Sequence, residues 1–303
     1  MAAVQNVIVI GGPTASGKSG LALDIARRAN GIIINADSMQ VYDGLPRLTA
    51  QPDAADRAAA PHRLYGVLPP AQSCSAARWR DMALAEIDAA LAAGHLPVVV
   101  GGTGFYIRTL TEGISPMPEI PSEVRTRLAE EMAREGNEAF HKRLAARDPV
   151  MAARLHPSNT QRLIRAMEVL EHTGQSLAEW QALPREGPPA HLRMIKIALL
   201  PARDVLYARC DKRFLQMMQD GIEAEVGDFP RPHADSLWPL HKALGYPELR
   251  SYLDGAVTRA EAVVAAQQST RNYAKRQVTW FRHQMAAEMV LETPDAERIL
   301  AAL

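Results

Sequence analysis

The chain has 303 residues, and its 34 Lys plus Arg are matched by 34 Asp plus Glu, so the formal net charge is +0. With 47% hydrophobic and 22% charged residues it has the composition of an ordinary globular protein of one or two domains. The balance excludes wholesale electrostatic capture of nucleic acid but not a local basic stripe, no apolar run approaches the ~18 residues that span a bilayer, and two cysteines, Cys74 and Cys210, are too few for a disulfide framework or a Cys-based zinc site.

Met1 to Ile10 lacks a basic n-region, a long apolar h-region and a small-residue cleavage site, so a cytoplasmic protein without a secretory leader is expected. Val7-Ile8-Val9-Ile10 is a short β-branched run ending in Gly11-Gly12 and reads as a buried strand. Ser19 to Arg28 places Leu21, Ala22, Ile25 and Ala26 at helical spacing. Ile32-Ile33-Ile34 follows as a strand, then a helix from Ala76 to Ala93 stopped by Gly94, then the strand Pro97-Val98-Val99-Val100. Continuous apolar strands alternating with helices predict a parallel sheet covered on both faces. Ile195 to Leu200 reads as one more strand of it.

The texture changes between Glu119 and Gln181, where no strand-like run occurs. Ser122 is suited to cap a helix that Gly136 ends, and Ser158 to open another that ends near Thr173-Gly174. Proline-rich seams flank the stretch, which predicts an inserted helical subdomain with the sheet resuming afterwards. The boundaries expected are 1–118 for the first part of the core, 119–186 for the insertion and 187–303 for the remainder. The last third reads as helical, with a helix from Thr258 to Ala287 that opens on a Thr258…Glu261 capping box.

Gly12-Pro13-Thr14-Ala15-Ser16-Gly17-Lys18-Ser19 matches G-x-x-x-x-G-K-[ST] between a predicted strand and a predicted helix. The glycines let the backbone turn its N–H groups onto phosphate oxygens, Lys18 supplies a point charge, and Ser19 is placed to ligate Mg²⁺ at a helix N-terminus. This defines a di- or triphosphate site. A nucleotide hydrolase would normally end a strand in an acid that holds Mg²⁺, but the third strand ends Gly101-Gly102-Thr103-Gly104. That glycine run is no dinucleotide fingerprint, since Ile107 stands where the last glycine is needed. Asp37 is the early acid just beyond a strand end, suited to hold Mg²⁺, to act as a general base, or simply to cap a helix. Strand C-terminal ends gather on one face of a parallel sheet, so the phosphate loop, Asp37 and Thr103 should meet in one crevice.

These segments resemble the tRNA dimethylallyltransferases, also called tRNA isopentenyltransferases. The resemblance rests on the phosphate loop, Asp37-Ser38-Met39-Gln40-Val41-Tyr42, Gly101 to Tyr106, Ala60 to Leu64, Gln161 to Glu168, Arg213-Phe214, Ala243 to Tyr246 and Arg271 to Gln277, in one order over nearly the whole chain. It implies an α/β fold, a P-loop NTPase-like parallel core with an inserted all-helical subdomain. It implies transfer of a dimethylallyl group from dimethylallyl diphosphate to N6 of the adenosine 3′-adjacent to the anticodon, with tRNA as partner and Mg²⁺ as cofactor. By the same resemblance residues 12–19 hold the diphosphate, Ser19 is the metal ligand, and Asp37, Thr103 and Arg213 are catalytic. Asp37, Ser38, Met39, Gln40, Thr103, Arg125, Gln161, Arg162, Leu163, Ile164, Arg165, Arg271 and Lys275 match or extend the tRNA-facing segments. Arg271, Lys275, Arg276 and Arg282, with Trp280 and Phe281 among them, form a basic stripe suited to loop RNA. One departure stands out: Thr49-Ala50-Gln51-Pro52 has Gln51 where the family usually carries lysine. The 303 residues contain no zinc-finger motif, as in the shorter members of the family, and a monomer without membrane contact is expected.

Three rivals share parts of this pattern. A small-molecule P-loop kinase shares the strand–loop–helix start but needs an arginine-rich lid. An RNA-binding ATPase would not need Asp37 for its binding. A transferase acting on free adenylate would not need the basic late helix. His62 and His156 read as structural or surface residues.

Overall fold

The computed structural model describes residues 4–231 and 238–303. They form two compact units, Met1–Thr111 with Pro188–Leu303, and Glu112–Gly187. In chain order the first unit begins β1 (Gln5–Gly11), α1 (Lys18–Arg28), β2 (Gly31–Asn35), α2 (Ala54–Ala59), β3 (His62–Arg63), α3 (Ala76–Ala92), β4 (Leu96–Gly101) and α4 (Gly104–Glu112). The second unit holds α5 (Ser122–Glu135), α6 (Asn137–Arg147), α7 (Pro149–Ala152), α8 (Thr160–Thr173) and α9 (Leu177–Ala182). The first then resumes with β5 (Leu192–Leu199), α10 (Arg203–Gln219), α11 (Ile222–Asp228), a 3₁₀ turn at Pro239–Lys242, α12 (Tyr246–Leu253), α13 (Arg259–Gln284), β6 (Met289–Leu291) and α14 (Ala296–Leu300).

The six strands lie in the order β3-β2-β4-β1-β5-β6, and every pairing is parallel. Their apolar runs are explained by burial on both faces. Val7 and Val9 of β1 point to one core, with Trp79 and Ala83 of α3, Ile107 of α4 and Phe281 of α13. Ile8 and Ile10 point to the other, with Leu21, Ala22 and Ile25 of α1 and Ile299 of α14. Period-two side-chain alternation therefore has an apolar partner in each direction, and each fully buried Val or Ile contributes about 1.5–3 kcal/mol. A third apolar cluster joins Val41, Tyr42 and Leu45 to Phe214, Ile222, Leu240, Tyr246 and Leu249.

Helix termini follow the predicted chemistry in part. The Thr258 side chain and Glu261 form the expected capping box of α13, which ends at Gln284, before Ala287. Ser75 caps α3 by accepting from the Arg78 N–H. Ser122 is not the cap of α5: Pro121 holds that position, and the Ser122 hydroxyl donates to the Glu123 carboxylate. Ser158 does not open α8 either, because its hydroxyl is engaged with His156 Nδ1 at 2.8 Å and Asn159 takes the cap.

The second unit starts earlier than the 119 expected from the sequence. Ile114 bridges antiparallel to Glu186, so the proline seam at 115–118 lies inside the unit. Met117 and Ile120 pack on its own core of Leu128, Phe140, Leu144, Leu163, Met167 and Val169. Among the described residues no helix is long and apolar enough to cross a membrane.

Candidate active site

The phosphate-loop sequence folds as its spacing predicts, between β1 and α1. Gly17 adopts φ +95°, and a Cβ on Gly12 would meet the Leu199 carbonyl oxygen at 2.6 Å, so both glycines are sterically required. Ala15 also lies in the left-handed region, at φ 62°, a local cost of order 1 kcal/mol that is typical of ligand-binding turns. The loop is pinned from α10. Arg209 Nη1 donates to the Ser16 carbonyl at 3.2 Å, and Arg213 donates to Thr14 Oγ1. Lys18 Nζ donates to the Pro13 carbonyl at 3.1 Å, folded back on its own loop. Ser16 Oγ is buried without a hydrogen-bond partner.

Asp37 stands two residues beyond β2. Its Oδ1 accepts from the Met39 N–H at 3.0 Å, so it closes a short turn rather than capping a helix. Asn35, the last residue of β2, fixes this turn: its Oδ1 accepts from the Asp37 N–H at 2.8 Å, and its Nδ2 donates to the carbonyls of Asp37 and Leu64. The β2 end is itself held by Trp79, whose Nε1 donates to the Asn35 carbonyl at 2.9 Å while its ring stacks on Tyr106. From the end of β4, Thr103 Oγ1 accepts from the Ser38 N–H at 2.9 Å and lies 3.2 Å from Ser38 Oγ. Three strand ends thus converge on one edge, as expected of a parallel sheet.

A glutamine from the far end of the chain joins them. Gln277 of α13 accepts from the Thr14 N–H at 2.8 Å through Oε1 and donates to the Gly102 carbonyl at 2.8 Å through Nε2. It is buried, and the absence of a side chain at Gly102 makes room for it, since a Cβ there would lie 2.5 Å from Nε2 and 3.2 Å from Asp37 Oδ2. Neither Gln277 nor Asn35 carries a sequence signal of its own, beyond the place of Gln277 in a family-like segment. Gln51, in the usual lysine position, donates to the Tyr42 carbonyl at 2.8 Å and braces the chain after Asp37. Gln40 donates to the carbonyls of Thr49 and Ala50, so its amide is committed to the same loop.

Thr14, Asp37 and Arg213 line a cavity of about 250 Å³ whose other walls include Met39, Leu48, Phe214, Met217 and Tyr273. Lys242 and Arg276 also line it, so its walls mix cationic and hydroxyl side chains with apolar and aromatic ones. Burial lowers the Lys18 ammonium to about 8, against an opposing pull from Asp37. Burial also depresses Arg213, again partly offset by Asp37. Tyr273 is pushed upward by burial and by the Asp37 charge, and stays a neutral phenol. Two desolvated cations beside one carboxylate give this part of the site a net positive charge, the condition for taking up an anion.

The late helix separates the residues of the predicted stripe. Lys275, Arg276 and Arg282 are exposed, while Arg271 pairs with Asp211. Phe281 is no stacking platform: it is 1% exposed and belongs to the sheet core. Trp280 packs against Gly104, where a Cβ would come within 2.2 Å of the indole. In the second unit Arg125, Gln161 and Arg162 are exposed and Arg165 is partly so. Leu163 and Ile164 are buried in that unit's core and offer RNA no side-chain surface, because α8 turns this face inward. His62 is a structural residue of β3, paired with Ile33, with its ring bonded to the Ala60 carbonyl and edge-on to Tyr65, and His156 contacts Ser158.

The fold and site define a P-loop α/β protein that sets a phosphate cradle beside a carboxylate and an apolar wall. The family model for IPP transferase matches residues 40–284. The tRNA dimethylallyltransferase of Rhodospirillum centenum is 54% identical over 287 residues, 95% of this chain and 91% of that protein. The protein of the same name from Paramagnetospirillum magneticum is 53% identical, over 98% of this chain and 94% of its own length. The crystal structure of the full-length tRNA isopentenylpyrophosphate transferase from Bacillus halodurans superposes with a TM-score of 0.67 at 32% identity, covering 98% and 94% of the two chains. The chain therefore belongs to the IPP transferase family of tRNA dimethylallyltransferases.

Proposed function

We propose that the chain transfers the dimethylallyl group of dimethylallyl diphosphate to N6 of the adenosine 3′-adjacent to the anticodon of tRNA, releasing diphosphate. The observation that carries this reading is the cavity in which Thr14 and Arg213 adjoin Asp37 and face an apolar wall of Leu48, Phe214 and Met217. A phosphate end, a proton acceptor and a surface for a five-carbon chain are the three requirements of the reaction.

The carbon–oxygen bond of the allylic ester breaks with its electron pair leaving on diphosphate, and N6 bonds to the freed carbon. The loop N–H groups, Lys18 and Arg213 stabilise the charge that grows on the departing oxygen. Asp37, held by Asn35 and the Met39 N–H, orients the amine and accepts its proton. Thr103 is locked against Ser38 beside it. Reaching this site requires the adenine to leave the anticodon stack, at a cost of a few kcal/mol.

Ser19, on the first turn of α1, fits a role in holding Mg²⁺, as no bond engages its hydroxyl among the described residues. Among the described residues no group of three or more His, Cys, Asp or Glu is arranged to hold a metal, so the residues that would hold the ion are Ser19 and, if it takes part, Asp37, together with the substrate phosphates. When bound, Mg²⁺ supplies further positive charge for the leaving group.

Purified protein, dimethylallyl diphosphate, Mg²⁺ and an anticodon stem-loop test the proposal. One C5H8 adduct on the adenosine 3′ of the anticodon is the expected mass-spectrometric result. An unmodified stem-loop alongside phosphorylation of a small alcohol by ATP would overturn it in favour of a kinase.

A further inference from the structure

Five of the arginines on the second unit sit in two clusters of different charge balance. Arg127, Arg143 and Arg147 pair with Glu131, Glu135 and Glu171, three cations with three carboxylates. Arg125 of α5 and Arg165 of α8 share a single acid, Glu168, so two cations meet one carboxylate. Glu168 is 2% exposed, whereas the side chains of Arg125 and Arg165 are 61% and 35% exposed. Its Oε1 accepts from Arg165 Nη1, while Oε2 is buried without a hydrogen bond, 3.8 Å from Arg125 Nε.

A carboxylate placed for stability alone would have both oxygens bonded, because an unpaired buried acceptor is costly. Here one buried acid sits beneath two guanidinium groups from two helices and leaves them with one surplus positive charge. Two forked donors drawn to the two oxygens of one carboxylate fit the oxygens of a polynucleotide phosphate. We infer that Glu168 is a positioning residue that sets Arg125 and Arg165 as a paired clamp for a tRNA backbone phosphate. The inference rests on the proposed function for its ligand, but not on any residue of the phosphate-loop site.

Charge and position predict opposite signs here, which makes the role testable in the full chain with an anticodon stem-loop. Glu168→Gln removes a negative charge from an RNA-facing patch, so electrostatics alone would tighten binding. The positioning role instead raises KM for RNA three- to tenfold with kcat at saturating RNA unchanged. It also flattens the dependence of log K on log salt by about 0.7, the slope that one phosphate contributes when the clamp neutralises it. Glu168→Asp keeps the charge but shortens the reach, and should raise KM likewise. Tighter binding by Glu168→Gln, or wild-type KM in Glu168→Asp, overturns the inference. If Glu168→Gln does not fold, Glu168→Asp alone decides, and loss of fold in both assigns Glu168 to the core and also overturns it. A wild-type protein that neither binds nor prenylates the stem-loop refutes the proposed function instead.

Discussion

Gln277 offers the sharpest test of how the site is built. Its amide spans two loops that are far apart in sequence, taking the Thr14 N–H on one side and giving to the Gly102 carbonyl on the other, both at 2.8 Å. Gln277→Leu keeps the bulk and removes both bonds. Leaving a buried donor or acceptor unpaired costs about 1–3 kcal/mol each, and Thr14 borders the cavity where water can reach it, so a loss of about 2–4 kcal/mol is expected. A domain with about 5–15 kcal/mol of stability survives this, and urea unfolding measures it. Function should suffer more than stability. Freeing the phosphate loop from the turn that carries Thr103 misaligns the leaving group and the acceptor amine, and misplacement of about 1 Å costs on the order of 100-fold in kcat/KM. Gln277→Glu should be worse, since it sets a carboxylate oxygen against the Gly102 carbonyl and adds negative charge beside Asp37. A Gln277→Leu enzyme that prenylates the stem-loop within about threefold of wild type would refute the reasoning.

Other perturbations address the individual groups. Asp37→Asn keeps the turn geometry but removes the proton acceptor, so single-turnover rates should fall by about 10²–10⁴ while RNA affinity measured by filter binding is kept. Lys18 should give opposite pH trends in two assays. Between about 8 and 10.5 the folded protein binds fewer protons at Lys18 than the unfolded chain, so ligand-free stability in urea should rise across that interval. Diphosphate affinity by calorimetry should fall over the same interval as the ammonium is lost, and parallel trends would contradict the assignment. Lys275→Glu, on the exposed face of α13, should weaken stem-loop binding and flatten its salt dependence without changing unfolding; unaltered kinetics would support an enzyme acting on free adenylate.

The core of the fold was legible because its signals are local. The β-branched runs, the Thr258…Glu261 box and the phosphate-loop spacing each act over a few residues, and the structure contains the corresponding strands, cap and turn. Two-residue β3 and three-residue β6 are too short to carry a period. The positions that organise the site were harder to read for a different reason. Asn35 acts by folding back on its own turn and Gln277 by bridging loops joined only in the folded chain, and neither act leaves a pattern in the sequence. Phe281 reads as part of the basic stripe because a charged face and an apolar face share α13, and sequence order interleaves them. Leu163 and Ile164 fall inside a family-like segment, yet helical rotation turns them away from the surface.

The bridge between Ile114 and Glu186 has a consequence for how such a chain can diversify. The polypeptide leaves β4 and returns to β5 through two segments that lie side by side, with Gly113 pressed so closely to the Glu186 carbonyl that a Cβ would come within 2.0 Å. A neck of that kind lets residues 112–187 be exchanged as a cassette, with two adjacent splice points and no change in strand order. The surface of that unit is thus free to drift while the strand ends that carry the phosphate loop keep their place in the sheet.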